Sequence, residues 1–351
     1  DMRRSLTLAI CALLIAVTGA AQTKRMAVVE TSTCYMRIAP DYESALETQE
    51  LMGTVVEIVG ESGYWREIVS PQPYKAWTTE KTLVEMSEEE IREYEAAPKY
   101  MFTELYGHIY SEPSDKAQTI CDLVGGDVLR VALRTGSSGQ RRKTVTNTRT
   151  EAENEIKAEQ TARMAVTKGK WAQVVLPSGV KGWVLKSQVR VLGERINIRK
   201  GDSAEGMISE EKMEKIIASA QELLGVPYLW GGMSSKGVDC SGLVRLTWFM
   251  NGYLLPRNAS QQVFLGREII VKADHSIGKD NENLYDEMVR RIENLKPGDL
   301  VFFGSKSGKV THVGIYLKDR KFIHASASQG VTISTLDEEY WKKHWLSGGR
   351  P

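Results

Sequence analysis

Three residues in the last third of the chain, Cys240, His312 and His324, have the types that a nucleophilic cysteine site requires. Cys240 lies where the apolar pattern predicts that a helix begins. Unpaired backbone N–H groups and the helix dipole at such a position favour a thiolate over a thiol and can hold a developing oxyanion. Cys240 is therefore a candidate nucleophile. A buried structural cysteine is the alternative, because free cysteines are among the most buried residue types.

Alternation along the predicted strand 310–317 places His312 on the face opposite to the apolar residues of that strand. His324 lies in the next strand-like run, 321–325, and a short turn separates the two runs. We expect the two imidazoles to lie side by side, with a neutral His324 accepting a bond from His312 and so fixing the tautomer of a general base. For either histidine alone, a satisfied core or surface imidazole remains the simpler interpretation.

The elements around these residues predict an α+β domain. Helical spacing of apolar residues begins after Ser209 and stops at Gly225, and a second, largely apolar helix begins near Cys240 and ends at Gly252. Strand-like runs follow at 300–303, 310–317, 321–325 and 331–334. Helices first and strands afterwards are typical of the α+β class.

Two earlier stretches, residues 26–86 and 100–195, consist of short β-branched or alternating runs separated by Gly, Pro and Ser. This pattern predicts two small all-β barrels. Between them, over 87–99, a capping-box pattern that begins at Ser87 predicts a linker helix. Residues 135–165 are polar and predict an insertion or flexible loop in the second barrel.

Charge and the N-terminal residues exclude some classes of protein. The chain has 351 residues, with 46 Lys and Arg against 45 Asp and Glu, so no bulk positive field attracts nucleic acid. Residues 1–21 have the layout of a secretory signal peptide, and their apolar run is short for a bilayer span. We expect an exported, periplasmic or extracellular monomer without stable membrane insertion after cleavage. Its three remaining cysteines leave at least one free thiol.

Five segments resemble signature segments of the NlpC/P60 peptidases. They are 224–232 (LGVPYLWGG), 237–244 (GVDCSGLV), 255–262 (LPRNASQQ), 295–303 (LKPGDLVFF) and 311–316 (THVGIY). The resemblance implies a papain-like fold for residues 205–351 and a Cys-His-His triad of Cys240, His312 and His324. The two upstream barrels resemble the bacterial SH3-like domains of cell-wall enzymes.

Within that family the chain resembles the γ-D-glutamyl-L-diamino acid endopeptidases of the dipeptidyl-peptidase VI type. In those enzymes, first-module segments similar to 47–49 and 73–77 cover the cleft and hold a free L-Ala amine. The resemblance implies that Glu47 supplies charge to the ammonium and Tyr74 a hydroxyl acceptor; a solvated Glu and a half-buried Tyr are the alternatives. The substrate-binding residues that it implies are Glu47, Tyr74, Tyr228, Trp230, Asp239, Ser241, Arg257, Asn258 and Ser260.

One of these positions departs from the family pattern. Position 258 is usually Asp in this subgroup and helps to bind the substrate amine, but this chain has Asn258. The neutral amide weakens the charge partner of the amine. Asn258 therefore puts that contribution to amine binding in doubt.

The resemblance implies hydrolysis of the bond between γ-D-Glu and the diamino acid, meso-diaminopimelate or Lys, in a peptidoglycan stem peptide or murein fragment with a free N-terminal L-Ala. The product is L-Ala-γ-D-Glu, and no cofactor or metal is required. An N-acetylmuramoyl-L-alanine amidase and a non-catalytic wall-binding protein are the alternatives. A zinc site of Cys240, His312 and His324 is disfavoured, because these residues include no short ligand pair.

Overall fold

A computed structural model describes residues 24–71, 74–134, 151–198, 208–265, 267–268, 292–305 and 307–351. The expected signal peptide and the first part of the polar insertion, 135–150, lie outside the described residues. Within the described ranges, no helix is both long enough and apolar enough to cross a membrane.

The first β module is one antiparallel sheet of seven strands. The strands are β1 (Arg25–Val29), β2 (Thr33–Arg37), β3 (Leu46–Leu51), β4 (Val55–Ser62), β5 (Trp65–Val69), β6 (Lys75–Thr79) and β7 (Leu83–Met86). Their hydrogen-bonded order is β3-β2-β6-β5-β4-β1-β7, so β3 lies at one end of the sheet. No pairing joins β3 to β7 among the described residues, and the closed barrel stays a prediction.

The linker helix α1 (Glu88–Ala96) begins and ends where the sequence predicts. The Ser87 hydroxyl accepts from the Glu90 N–H at 3.3 Å, and the Glu90 carboxylate accepts from the Ser87 N–H at 2.8 Å. These two bonds form a capping box, which satisfies backbone donors that have no partner within the helix.

The second β module is an antiparallel sheet of eight strands. They are β8 (Lys99–Phe102), β9 (Tyr106–Tyr110), β10 (Thr119–Val124), β11 (Val128–Val131), β12 (Thr167–Lys168), β13 (Trp171–Val175), β14 (Lys181–Leu185) and β15 (Val189–Val191). The order is β10-β9-β14-β13-β11-β8-β15, with β12 beside β13. The polar segment expected as an insertion or loop contains a helix, α2 (Glu151–Met164). Its Glu, Ala and Lys residues favour helix even without a broad apolar face.

The C-terminal part, residues 208–351, is α+β as the sequence predicts. Its helices are α3 (Glu210–Glu222), α4 (Cys240–Met250), α5 (Ala259–Gln262) and α6 (Glu339–His344). Two short pairs, β16 (Ile196–Asn197) with β19 (Tyr253–Leu254) and β17 (Met233–Ser234) with β18 (Gly237–Val238), flank the helices. The main sheet has the order β20-β25-β21-β22-β23-β24, formed by β20 (Arg267–Glu268), β21 (Leu300–Gly304), β22 (Val310–Lys318), β23 (Lys321–Ser326), β24 (Gly330–Thr335) and β25 (Trp345–Arg350).

One hydrophobic core joins the three parts. Every residue of α4 is buried, and its cluster of apolar side chains includes Leu51 of the first module and Val124 of the second. Gly126, with a φ of 97°, packs closely against Leu51 and Phe249. A Cβ at this position would lie 2.8 Å from Leu51 Cδ1 and 3.3 Å from the Phe249 ring. Both β modules therefore pack directly against the helix that begins at Cys240.

Candidate active site

The two histidines lie side by side on neighbouring antiparallel strands. Pairing of Ile315 with Ile323 sets the register of β22 and β23, and His312 Nε2 lies 2.9 Å from His324 Nδ1. On its far side, His324 Nε2 lies 3.2 Å from the Ser334 hydroxyl on β24. If each Nε2–H donates along this chain, Nδ1 of His312 is left without a proton and can act as a base.

Cys240 is the first residue of α4, directly after the N-cap Asp239. The backbone N–H of Val313, which follows His312 on β22, donates to the cysteine sulfur. This contact places the thiol against the strand that carries His312. The Asp239 carboxylate accepts from the Gly242 N–H at 2.7 Å, so that amide is already engaged at the helix start.

The ionisation of Cys240 differs from the expectation. The helix start was expected to favour a thiolate, but burial and then the negative charge of Asp239 raise the pKa of the Cys240 thiol to about 11. Backbone N–H groups of Val313 and Ser241 act in the opposite direction and are outweighed. Desolvation disfavours the charged form of a buried thiol. The thiol is therefore neutral near pH 7 and needs a base.

An aromatic enclosure desolvates the histidine pair. The Trp341 ring of α6 stacks on His312 at 5.3 Å between centroids and meets His324 edge-on at 4.8 Å. Phe303 and Phe322 complete the enclosure. Burial lowers the pKa of His312 to about 4, against an opposing contribution from Asp239, and burial followed by the charge of His312 lowers the pKa of His324 to about 3. Both imidazoles are neutral at pH 7.

Asp239, Ser241 and Arg257 form a buried network at the start of α4. Arg257 binds both carboxylate oxygens of Asp239, at 2.9 and 2.7 Å, and the Ser241 hydroxyl at 3.0 Å. Its remaining donors reach the Thr48 hydroxyl at 2.8 Å and the Gly232 carbonyl at 3.3 Å. Arg257 is only 2% exposed. These three residues, which were expected to bind substrate, are bonded to one another behind Cys240.

Glu47, Tyr74 and Asn258 come together in a partly buried group, here called the Tyr74 cluster. The Tyr74 hydroxyl donates to Glu47 Oε1 at 2.8 Å. The Asn258 amide nitrogen lies 3.2 Å from the same hydroxyl. Burial raises the pKa of Tyr74. Residues from the first module and from the C-terminal part thus share one polar site. Its member from the C-terminal part, Asn258, directly follows Arg257 in the sequence.

The other expected substrate residues occupy different surroundings. Tyr228 is partly buried, forms a β-bridge with Val238 and has a raised pKa because of burial and the nearby Cys240. Trp230 is 67% exposed. Ser260 is exposed on α5. Tyr228 therefore lies beside Cys240, whereas Trp230 and Ser260 face solvent.

Three consecutive polar residues of β3, Thr48, Gln49 and Glu50, dock the first module onto the C-terminal part. No role was expected from the sequence for any of the three individually. Besides the Thr48 contact, Gln49 Oε1 accepts from the Met233 N–H at 2.8 Å, and Glu50 lies 3.6 Å from Arg245 of α4. All three side chains are buried. The detectable signal was the uninterrupted polar run, because a half-buried strand alternates polar and apolar residues.

The surroundings of the His pair form a cavity of about 530 Å³. Its lining includes both histidines, Ser334, Glu338, Tyr340 and Trp341. Trp341 was also missed by sequence analysis, since a Trp in a short charged helix carries no signal of contact with a distant imidazole. In the described part of the chain, no group of His, Cys, Asp and Glu side chains is arranged to hold a metal ion. The cysteines described there, Cys34, Cys121 and Cys240, are free.

Comparison with known proteins identifies the family. The model of the NlpC/P60 family matches residues 225–350, which contain Cys240, His312 and His324. A Haemophilus influenzae protein named "Probable endopeptidase" is 37% identical over 142 residues, 39% of this chain and 75% of that protein. "Probable endopeptidase NlpC" of Escherichia coli K12 is 42% identical over 128 residues, 36% of this chain and 70% of that protein. The chain belongs to the NlpC/P60 family.

A third relative and two solved structures extend the comparison. The "Gamma-D-glutamyl-L-lysine dipeptidyl-peptidase" of Bacillus subtilis 168 is 32% identical over 156 residues, which span 44% of this chain and 45% of that protein. An NlpC/P60 family protein from Bacillus cereus ATCC 10987 superposes with a TM-score of 0.64 at 21% identity, covering 93% of this chain and 99% of that one. An NlpC/P60 endopeptidase from Photobacterium damselae gives 0.54 at 14% identity over 92% and 70%. These two structures share the fold, including a papain-like catalytic part.

Proposed function

We propose that this protein is a cysteine peptidase of peptidoglycan stem peptides, with Cys240 as nucleophile, His312 as general base and His324 as the residue that orients the base. It cleaves the bond between γ-D-Glu and the diamino acid in stems with a free N-terminal L-Ala and releases L-Ala-γ-D-Glu. The endopeptidase names of two relatives support a peptidase, and the names of two others, which refer to peptidoglycan and murein, support a wall peptide as substrate. The dipeptidyl-peptidase name of one relative supports the bond.

The observation that carries the specificity is the Tyr74 cluster. Glu47 offers a carboxylate and Tyr74 a hydroxyl acceptor, and a protonated α-amine is the group that such a pair recognises. Asn258 contributes an amide instead of a second carboxylate, so a single negative charge faces the ammonium. In this proposal, an amine held at the Tyr74 cluster sets the position of the substrate N-terminus relative to Cys240, and the segment between them is a dipeptide.

The reaction begins with a neutral thiol and a neutral imidazole. As Cys240 Sγ attacks the carbonyl carbon, the thiol proton passes to His312, and the imidazolium is oriented by its bond to His324. The tetrahedral oxyanion is held by the backbone N–H of Cys240 at the helix start, since the Gly242 N–H is engaged by Asp239.

Collapse of the tetrahedral intermediate breaks the C–N bond. His312 returns the proton to the leaving amine of the diamino acid, and a thioester between L-Ala-γ-D-Glu and Cys240 remains. Water then gives a proton to His312 and attacks the thioester. Collapse of this second tetrahedral intermediate breaks the C–S bond, and His312 returns its proton to the sulfur. The dipeptide carboxyl group loses its proton to solvent as the product leaves.

The remaining domain assignments belong to the same proposal. Residues 1–21 act as a signal peptide, 26–86 and 100–195 are SH3-like modules, 87–99 link them, and 205–351 form the peptidase domain. The enzyme acts as a monomer outside the cytoplasm. Names of relatives that refer to the cell wall support that location.

The decisive experiment digests synthetic L-Ala-γ-D-Glu-diamino acid peptides and identifies products by mass spectrometry. Two matched substrates differ only in a free or acetylated L-Ala amine, and each carries either Lys or meso-diaminopimelate. We expect L-Ala-γ-D-Glu from the free-amine peptides, little turnover of the acetylated ones, and none by Cys240→Ala. Cleavage of the acetylated peptide at an equal rate contradicts the amine requirement. In a parallel digest of glycan-linked stems, release of an intact stem identifies an amidase instead.

A further inference from the structure

Adjacent residues of β3 contact two different parts of the site. Glu47 belongs to the Tyr74 cluster, whereas the fully buried Thr48 points to the opposite face and accepts from Arg257 Nε at 2.8 Å. Their partners are also adjacent, because Asn258 joins the Tyr74 cluster and Arg257 binds Thr48. The first module therefore makes two parallel contacts with one short segment of the C-terminal part.

Arg257 binds the two residues that flank Cys240 in the sequence. It forms a two-point ion pair with Asp239 and a hydrogen bond with the Ser241 hydroxyl. Asp239 in turn caps α4 through Gly242 and accepts from the Gly231 N–H at 2.9 Å. The backbone position of Cys240 is set between these anchored neighbours.

The guanidinium of Arg257 has no donor left for a substrate. An arginine side chain carries five N–H donors in a fixed fork. Their five bonds reach Thr48, both oxygens of Asp239, Ser241 and the Gly232 carbonyl. The group is also 2% exposed. A role in which Arg257 binds a stem-peptide carboxylate is therefore incompatible with this arrangement.

We infer that Thr48 and Arg257 are positioning residues for Cys240, and that the first β module holds the nucleophile in place as well as recognising the substrate amine. The inference rests on the proposed function for its substrate, but the contact itself does not involve substrate. Thr48 fixes the guanidinium, the guanidinium fixes Asp239 and Ser241, and these fix the thiol between them.

The two contacts predict that changes at the adjacent residues Glu47 and Thr48 affect different kinetic parameters. Removing the carboxylate of Glu47 weakens a ground-state contact with the substrate amine and raises KM. Removing the hydroxyl of Thr48 leaves a buried charged donor unsatisfied, so Arg257 shifts and the thiol is misplaced. A misplacement of about 1 Å can reduce turnover by about 10²-fold, and this loss falls on kcat.

Thr48→Val is the test variant, because valine keeps the shape of threonine and removes only the hydroxyl. Thr48→Ser restores the hydroxyl and serves as the rescue. Thr33→Val is the matched control: Thr33 lies on the neighbouring strand β2, is 7% exposed, and its buried hydroxyl has no hydrogen-bond partner among the described residues. Thr48→Ala replaces the valine variant if that protein does not fold, as judged by thermal melting.

Two readouts separate positioning from substrate binding. One is kcat and KM with the free-amine peptide. The other is the rate of Cys240 alkylation by iodoacetamide without substrate, assigned by peptide mapping because Cys34 and Cys121 are also free. We expect Thr48→Val to lower kcat and the alkylation rate at least about tenfold, with KM within about twofold of wild type. Thr48→Ser recovers most of both losses, and Thr33→Val changes neither.

Equal kcat and alkylation rates in Thr48→Val and wild type overturn the inference, and so does an equal loss in Thr33→Val. A failure of Thr48→Ser to rescue also overturns it, because the hydroxyl is then not the group that matters. If wild type does not cleave the stem peptide, the proposed function fails, while the alkylation comparison still tests the positioning role.

Discussion

His312 Nε2 and His324 Nδ1 lie 2.9 Å apart across two neighbouring antiparallel strands. A second contact runs from His324 Nε2 to the Ser334 hydroxyl, and in the tautomer in which each Nε2 carries the proton, both rings donate along this chain. In the proposed mechanism this relationship orients the base, and among the described residues the chain of bonds contains no carboxylate. It also makes the acceptor nitrogen of His324 the feature to test.

Replacement of His324 tests the orientation of the base. His324→Phe keeps a ring of similar size but removes the acceptor, so His312 loses its fixed tautomer, and we expect kcat to fall about 10²-fold. His324→Asn can retain an acceptor and should lose less. Steady-state kinetics on the free-amine peptide measure both. His108→Phe, in the second module, is the matched control. If kcat falls as much in His108→Phe as in His324→Phe, the orienting role of His324 is contradicted.

The acid limb of the pH profile tests the ionisation of His312. A general base works only when it is unprotonated, so activity is retained above the pKa and falls as the pH drops through it. Since burial lowers the pKa of His312 to about 4, we expect the acid limb of kcat/KM near pH 4 instead of near 6.5, the usual imidazole value. A midpoint near 6.5, measured over a range in which the protein stays folded, contradicts the desolvated pair.

Trp341 tests the cause of that shift. Trp341→Ala opens one side of the imidazole pair to water, and we expect the acid limb of kcat/KM to move upward toward pH 6.5. Trp341→Phe keeps an apolar ring and should leave the limb near its original position. Glu338 and His344 also line this cavity, so the profile is compared in Glu338→Gln as well. An unchanged limb in Trp341→Ala shows that the indole does not control the imidazole.

The buried ion pair of Glu50 with Arg245 tests how tightly the first module is docked. The two side chains are 5% and 3% exposed and lie 3.6 Å apart. Glu50→Gln leaves the arginine without a countercharge, and breaking such a pair costs about 3–5 kcal/mol of unfolding free energy. Urea unfolding measures the loss. The double variant Glu50→Leu with Arg245→Met should be more stable than either single one, and equal, small losses in all variants argue against a buried pair.

Local structure was largely readable from the sequence. Helix α4 begins at Cys240, and alternation along β22 puts His312 on the face opposite to Val313 and Ile315, as expected. That second face is also apolar, because Phe303 and Trp341 cover His312. The capping box at Ser87 is also present. Helical spacing, strand alternation and backbone capping each depend on residues that are close in sequence. These features can therefore be predicted from the order of the residues.

One expectation failed because burial outweighed a local effect, and another was wrong in part because composition misled. The helix start was expected to lower the pKa of Cys240, but desolvation raises it. The polar segment 135–165 was expected to be an insertion or a flexible loop, and the loop alternative is wrong over Glu151–Met164, which is helical. The extent of desolvation depends on which distant elements cover a residue, and a polar composition does not exclude helix when propensities are high.

The sequence by itself determined which residues could do chemistry, the α+β class of the part that carries them, and the NlpC/P60 resemblance that the comparisons confirm. The tertiary structure decided how those residues are held. Thr48 and Arg257 are 209 positions apart, and their contact depends on how one β module packs against another part of the chain. Side-chain identity limits the bonds a residue can form, but only packing selects the partner, because many distant residues offer the same donors and acceptors.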